Sequence, residues 1–244
     1  MLSWYIQQFP LVELNYTYYR LPTAAQLTKL AAQTPDGFQF LVKLPATLTH
    51  KRQPNDLPLF RKAVEPLHER GQLLGLLGQF PQSWHHGKEA KTWLATLSDN
   101  FGDLHLAIEF RHRSWFRDDV PLWLREHHLD LVSVDVPDLP GLYPRGLVQS
   151  GERVYIRFHS RNAENWYRSG AERYDYDYSD DEMQEWIDAL ERLPSIATLL
   201  LLFNNCRDAH AVRNAQRMRE LLLSRMQRQR VVEPPAAAQR SLFE

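Results

Sequence analysis

What this chain lacks narrows it first. It carries one cysteine, Cys206, in 244 residues. An internal disulfide is therefore impossible, which fits a reducing compartment. A lone cysteine just after a strand reads as a small packing residue, and no motif here makes it reactive. No apolar run approaches the length of a membrane span. The opening "MLSWYIQQFPLVELN" has neither the basic region nor the long apolar core of a signal peptide. These absences are read as a soluble, cytoplasmic protein with no membrane partner. Charge of one sign is also missing. Lys and Arg number 29 against 30 Asp and Glu, a formal net charge of −1. No global field draws such a protein to nucleic acid or membrane, so binding of that kind needs a local patch. No glycine-rich dinucleotide fingerprint follows any apolar run.

What is present is a core. Hydrophobic residues make up 43% of the chain, which excludes global disorder, and the length fits one large α/β domain. Seven short apolar runs read as strands: Leu11–Asn15, Phe38–Lys43, Leu73–Phe80, Leu104–Phe110, Leu131–Val136, Val154–His159 and Leu199–Asn204. Near-continuous apolar strands are typical of parallel sheets buried on both faces. Helical patterns lie between them. "PTAAQLTKLAAQ" places Pro22 in a first turn. "LFRKAVEPLHERG" ends at Gly71, a helix-stopping glycine. "SDDEMQEWIDALERL" opens with Ser179 and Glu182 at capping-box spacing. "DAHAVRNAQRMRELLLSRMQ" carries Val212, Ala215, Met218 and Leu222 on one stripe. The expected organisation is one domain over 1–226 and a Pro/Ala tail over 227–244.

Each strand begins apolar and finishes polar. Side chains alternate faces along a strand, so Glu13 shares a face with Asn15, Glu109 with Arg111, and Arg157 with His159. Lys43, Gln79, Asp135, Asn204 and Asn205 end the remaining strands. A single polar strand end often just solvates a turn or caps the next helix. A whole set of them fits a parallel barrel, where inward side chains meet at the C-terminal mouth, better than an open sheet with one crevice.

At these residues the sequence resembles the YecE-like family, domain of unknown function 72. The resemblance rests on "VELNYTYYRLP", "TPDGFQFLVKLPATLTH", "LLGQFP", "AIEFRHRSW", "VYIRFHSRN…WY…RYDYDYSDDEM" and "LLFNN…A…NA". It implies an α/β, TIM-barrel-like fold, a site at the mouth and no assigned reaction. The chain departs from the family in three places. Ser160 and Cys206 stand where family members usually have Gly and often His. The family's first strand, with its Gly-Thr-Ser-Gly-Trp-like segment, has no counterpart. The expectation is an incomplete, seven-stranded barrel, from a late start or a truncation, with exposed edges on the Leu11–Asn15 and Leu199–Asn204 strands.

The polar ends suggest chemistry. Glu13, Glu109, Asp135 and His159 are the candidate proton-moving groups. Asn15, Lys43, Gln79, Arg111, Arg157, Asn204 and Asn205 are candidate ligand contacts, and arginine forks suit phosphate or carboxylate. Ion pairs, Glu109 with Arg111 or Lys43 with Glu13, are the competing structural reading. Beyond His159, "NWYRSGAERYDYDYS" offers Trp166, Tyr167, Tyr174, Tyr176 and Tyr178, either packing as a roof or stacking on a sugar or base. The expected ligand is small and anionic or nucleotide-like. No cofactor is expected. A divalent metal is conceivable among Glu, Asp and His, but no ligand spacing supports it: His50 sits in a loop, and His85–His86 and His127–His128 look superficial.

From Arg207 to Arg230 seven arginines face two acids. This is a solvated helix face or a weak nucleic-acid contact. The terminal "QRSLF", with Gln239, Leu242 and Phe243, looks like the peptide by which bacterial replication proteins dock on the sliding clamp. Two functional readings follow: an enzyme with hydrolase- or lyase-like acid/base chemistry, or a non-catalytic module that binds a ligand or nucleic acid and is recruited through its tail.

Overall fold

A computed structural model describes residues 2–168, 171–205, 207–226 and 231–235. Cys206 and the terminal peptide with Gln239, Leu242 and Phe243 lie outside the described residues. The chain forms two compact units. Of the described residues, one unit comprises 2–79, 93–106 and 232–235; the other comprises 80–92 and those between 107 and 231.

The first unit holds α1 (Leu2–Gln8), β1 (Leu11–Leu14), α2 (Ala24–Ala31), β2 (Gln39–Lys43), the single turn α3 (Ala46–Thr49), α4 (Leu57–Glu69), β3 (Leu73–Gln79) and most of α5 (Lys88–Phe101). Strands β1, β2 and β3 are parallel and adjacent in sequence order, with Leu11 opposite Gln39 and Lys43 opposite Leu77. Their buried apolar side chains include Phe40, Leu41, Val42, Leu76 and Leu77; α4 contributes Phe60, Val64 and Leu67. Phe60 meets Phe101 of α5 edge to face at 5.7 Å. Gly75 of β3 has no room for a side chain, because a Cβ there would lie 2.8 Å from the His105 carbonyl oxygen. Pro22, expected in the first turn of α2, stands just outside it. The start is set by a capping box, in which Thr23 Oγ1 accepts from the Gln26 N–H at 3.2 Å. Gly71 stops α4 with φ +64, as its position suggested.

The second unit holds β4 (Leu106–Glu109) beyond its first residue, α6 (Asp119–Glu126), β5 (Asp130–Asp135), β6 (Arg153–Phe158), α7 (Asp180–Glu191), β7 (Thr198–Phe203) and α8 (His210–Arg225). Strands β4 to β7 are also parallel and in sequence order. Along β6 the two faces differ. Val154, Ile156 and Phe158 pack with Met183, Trp186, Ile187 and Leu190 of α7 and Met218 of α8. Arg157 lies on the other face. Ser179 caps α7 with the expected box to Glu182. The arginines of α8 turn to acids: Arg217 reaches Asp180 and Glu220 at 2.7 Å, and Arg225 reaches Asp188 at 2.8 Å and Glu191 at 2.6 Å. Within the first unit β1 pairs with β2, and within the second β7 pairs with β6. Among the described residues, no helix is long and apolar enough to cross a membrane.

Candidate functional site

The second unit gathers Glu109, Arg111, Arg157, His159 and Asn204 into one cluster. Glu109 ends β4 and Arg157 faces it from β6; both are fully buried. Arg157 Nη1 donates to Glu109 Oε2 at 2.6 Å, and Arg111 Nε pairs with Oε1 at 2.6 Å. His159 Nε2 lies 3.1 Å from the same Oε1, and the Asn204 amide nitrogen lies 3.1 Å from His159 Nδ1. Arg111 Nη2, which can only donate, also lies 3.1 Å from Nε2, so this nitrogen sits between a guanidinium and the Glu109 carboxylate. Both ring nitrogens are thus engaged within the protein.

The electrostatics follow from this packing. Burial pushes the Glu109 carboxyl up, but Arg111, Arg157 and the His159 contact outweigh it and hold the group well below the usual carboxylate range. Burial drives His159 down to about 3, the charge of Arg111 adds to this, and Glu109 opposes it. At neutral pH the cluster therefore holds one carboxylate, two guanidiniums and a neutral imidazole. Arg111 is the more open cation, with 11% of its side chain exposed. Its guanidinium carbon sits 5.7 Å from the Trp166 ring centroid. Tyr174 stands 6.4 Å from the His159 ring.

The aromatic segment divides its work. Trp166 is buried beside Arg111, whereas Tyr167 is 61% exposed and accepts from the Gln82 amide at 3.2 Å. Tyr176 bonds to Glu182, and its ring meets Tyr178 edge to face at 4.9 Å. Tyr178 donates to Asp135 at 3.0 Å, Trp186 Nε1 donates to the same carboxylate at 2.6 Å, and Arg161 embraces it from 2.9 to 3.1 Å. Asp135 is fully buried under these donors, so it ties β5 to α7 and to the segment before it. Asn205 is likewise internal, donating to the Tyr176 carbonyl and Asn214 Oδ1 at 2.7 Å each. Arg161 was not singled out from sequence; its signal was that it continues the alternation of Arg157 and His159.

The first unit arranges its strand ends separately. Asn15 donates to Glu13 at 2.8 Å, and Lys43 Nζ donates to Gln79 Oε1 at 2.7 Å. Lys43 also lies 5.0 Å from the Tyr18 ring centroid. Tyr18 was missed from sequence; its only signal was membership of the tyrosine-rich "NYTYYR". Among the described residues, Asp175, Asp208 and His210 bring one ligand atom each within 4.8 Å of one another. Arg207 contacts both aspartates, Asp175 at 3.2 Å and Asp208 at 3.8 Å. These pairs already supply cations to that acidic group.

Fold and site together define an α/β protein of the TIM-barrel-like class. Solved structures of that class match: a DUF72 family protein from Thermotoga maritima, with a TM-score of 0.81, 36% identity and coverage of 90% of this chain and 87% of that one. A DUF72 family protein from Enterococcus faecalis matches with a TM-score of 0.83 at 26% identity, over 91% and 88% of the two chains. The family described as "Protein of unknown function DUF72" matches residues 1–240. The chain belongs to this family. Among curated relatives, the UPF0759 protein YunF of Bacillus subtilis is 31% identical over 91% of this chain and 86% of its own length. The UPF0759 protein YecE of Escherichia coli is 32% identical over 47% of this chain and 43% of its own length.

Proposed function

We propose that the cluster around Arg111 binds a small ligand bearing an oxyanion, a phosphate or a carboxylate, and that His159 positions groups there rather than shuttling protons. The observation that carries this reading is that two guanidiniums converge on the single carboxylate of Glu109, and that Arg111, the more open of them, shares it. A partly offset guanidinium in a largely buried setting is a strong anion partner. The indole of Trp166 and the phenol of Tyr174 offer flat walls for the rest of a nucleotide-like ligand.

Acid/base catalysis is less favoured, because Glu109 stays ionised and His159 stays neutral with both nitrogens occupied. A hydrolase- or lyase-like role would need the ligand's own negative charge to bring His159 back toward its ordinary pKa. Recruitment to a sliding clamp through Gln239, Leu242 and Phe243 is a separate proposal resting on sequence. It is tested by clamp binding of Leu242→Ala and Phe243→Ala.

The test of the anion site is calorimetric titration with inorganic phosphate, then with phosphorylated and carboxylated metabolites, at two salt concentrations. The expected result is binding that weakens with salt and falls by about tenfold or more in Arg111→Gln, the loss of one charge-assisted contact. Equal binding by Arg111→Gln, or no binding of any anion, would sink the proposal.

A further inference from the structure

The first unit carries a second set of polar groups. Thr17 is fully buried, and its hydroxyl meets the Leu14 carbonyl at 2.8 Å and the Lys43 carbonyl at 2.6 Å. This pins the turn after β1 onto the end of β2. The turn places Tyr18 with its ring facing Lys43 Nζ and its hydroxyl 3.1 Å from His50 Nε2. His50 follows α3, and its Nδ1 lies 2.9 Å from Thr49 Oγ1. The Thr49 hydroxyl donates to the Pro45 carbonyl at 3.3 Å.

Thr49 spends its proton on Pro45, so its oxygen accepts from His50 Nδ1–H. His50 Nε2 is then the bare nitrogen, and it accepts the Tyr18 O–H. Burial, then the nearby Lys43 charge, lowers the His50 pKa, which keeps the ring neutral at pH 7. Burial raises Tyr18, which keeps the phenol protonated. The resting state is a protonated tyrosine donating to a neutral histidine whose other nitrogen is anchored, with an ammonium across the ring.

We propose that Tyr18, His50 and Lys43 form a proton-relay site for a small polyhydroxylated, sugar-like ligand. A ligand hydroxyl gives its proton to the Tyr18 oxygen while the Tyr18 proton passes to His50 Nε2. One O–H bond breaks and one forms at the phenol, and a new N–H forms on His50. The negative charge left on the ligand oxygen is met by Lys43 Nζ. Nothing is oxidised or reduced, and no co-reactant is needed. The sugar-like character rests on the ring beside the relay: Tyr19 is 86% exposed. Tyr19 meets Tyr18 edge to face at 5.0 Å, and flat exposed rings suit the apolar face of a sugar. The signal for this site lies in "NYTYYR" and "LTH", neither of which the anion cluster uses.

The test uses the full chain and nitrogen-detected NMR of His50. The expected result is the Nδ1–H tautomer at neutral pH. Tyr18→Phe keeps the ring but removes the donor to the neutral imidazole, so the His50 pKa should rise by roughly 0.5–1 unit. Titration with glucose, galactose, gluconate and glucuronate should then shift the His50 signal in the wild type and in Arg111→Gln, but not in Lys43→Met. A wild-type Nε2–H tautomer, an unchanged His50 pKa in Tyr18→Phe, or a His50 signal that none of the four sugars moves would overturn the proposal. The Arg111→Gln arm separates failure here from failure of the anion site.

Discussion

The two units use the same sequence device, a polar residue at the end of a parallel strand, and obtain different physics from it. In the second unit Glu109 and Arg157 are fully buried, and Arg111 and Arg157 both lie within contact distance of the Glu109 carboxylate. In the first unit the buried Lys43 has among its contacts the Gln79 amide and the Tyr18 ring, while Tyr18 is half-buried and His50 exposed. Depth decides the outcome. A buried carboxylate must recruit cations and is then locked in one protonation state, whereas a half-buried phenol and an exposed imidazole keep protons that can move.

Removing Glu109 should break this contrast most severely. Glu109→Gln leaves two guanidiniums buried around a neutral amide, and the expected loss is about 3–5 kcal/mol in urea unfolding. A loss below about 1 kcal/mol would mean that the cluster is far wetter than its burial implies.

Acid should act in the same place. The pKa of His159 is lowered from its ordinary 6.5 to about 3, so the unfolded chain binds its proton first. Its stabilisation is complete above about pH 6.5 and is lost as pH falls toward 3, by up to about 1.4 kcal/mol per pH unit. Glu109, also lowered, adds to the loss below its ordinary 4.5. His50, His86 and His112 are lowered too and contribute in the same direction. His159→Asn should therefore flatten, without abolishing, the fall in stability between pH 6.5 and 4.5, as followed by thermal unfolding. An unchanged slope would show that His159 is not held neutral.

Lys43→Met sharpens the comparison from the other side. Among other contacts, it removes the hydrogen bond to Gln79 and the contact with Tyr18, and should cost about 1 kcal/mol in the same unfolding measurement. A cost equal to that of Glu109→Gln would erase the distinction between the two clusters. The smallest effect is expected on α8, where Arg217 pairs with Asp180 in the open. Arg217→Ala should leave the melting temperature within error at physiological salt, since exposed pairs contribute little.

Much of the architecture could be read directly. All seven strand candidates fall on observed strands, with boundaries moved by no more than two residues, as between Leu104–Phe110 and the observed Leu106–Glu109. Apolar runs bounded by polar groups are a strong signal because parallel strands are covered on both faces. The helices were read less evenly. α5 and α6 went unnamed; Asp118 stands at the N-cap of α6 but makes no side-chain capping bond, unlike Ser179 at α7.

The sequence by itself determined the succession of strands and helices, the capping of α7 and the polar residue at each strand end, since these depend on periodicity and local hydrogen bonding. It did not determine which polar ends are spent inside. Asp135 looked like Glu109 on paper. Only the tertiary structure gave Asp135 to Tyr178, Trp186 and Arg161 as an internal tie, and Glu109 to the more open Arg111. It alone brought Tyr18 to His50 across 32 positions. Pairing between charges distant in the chain depends on burial and on which strand ends face one another, and neither is written in the local pattern.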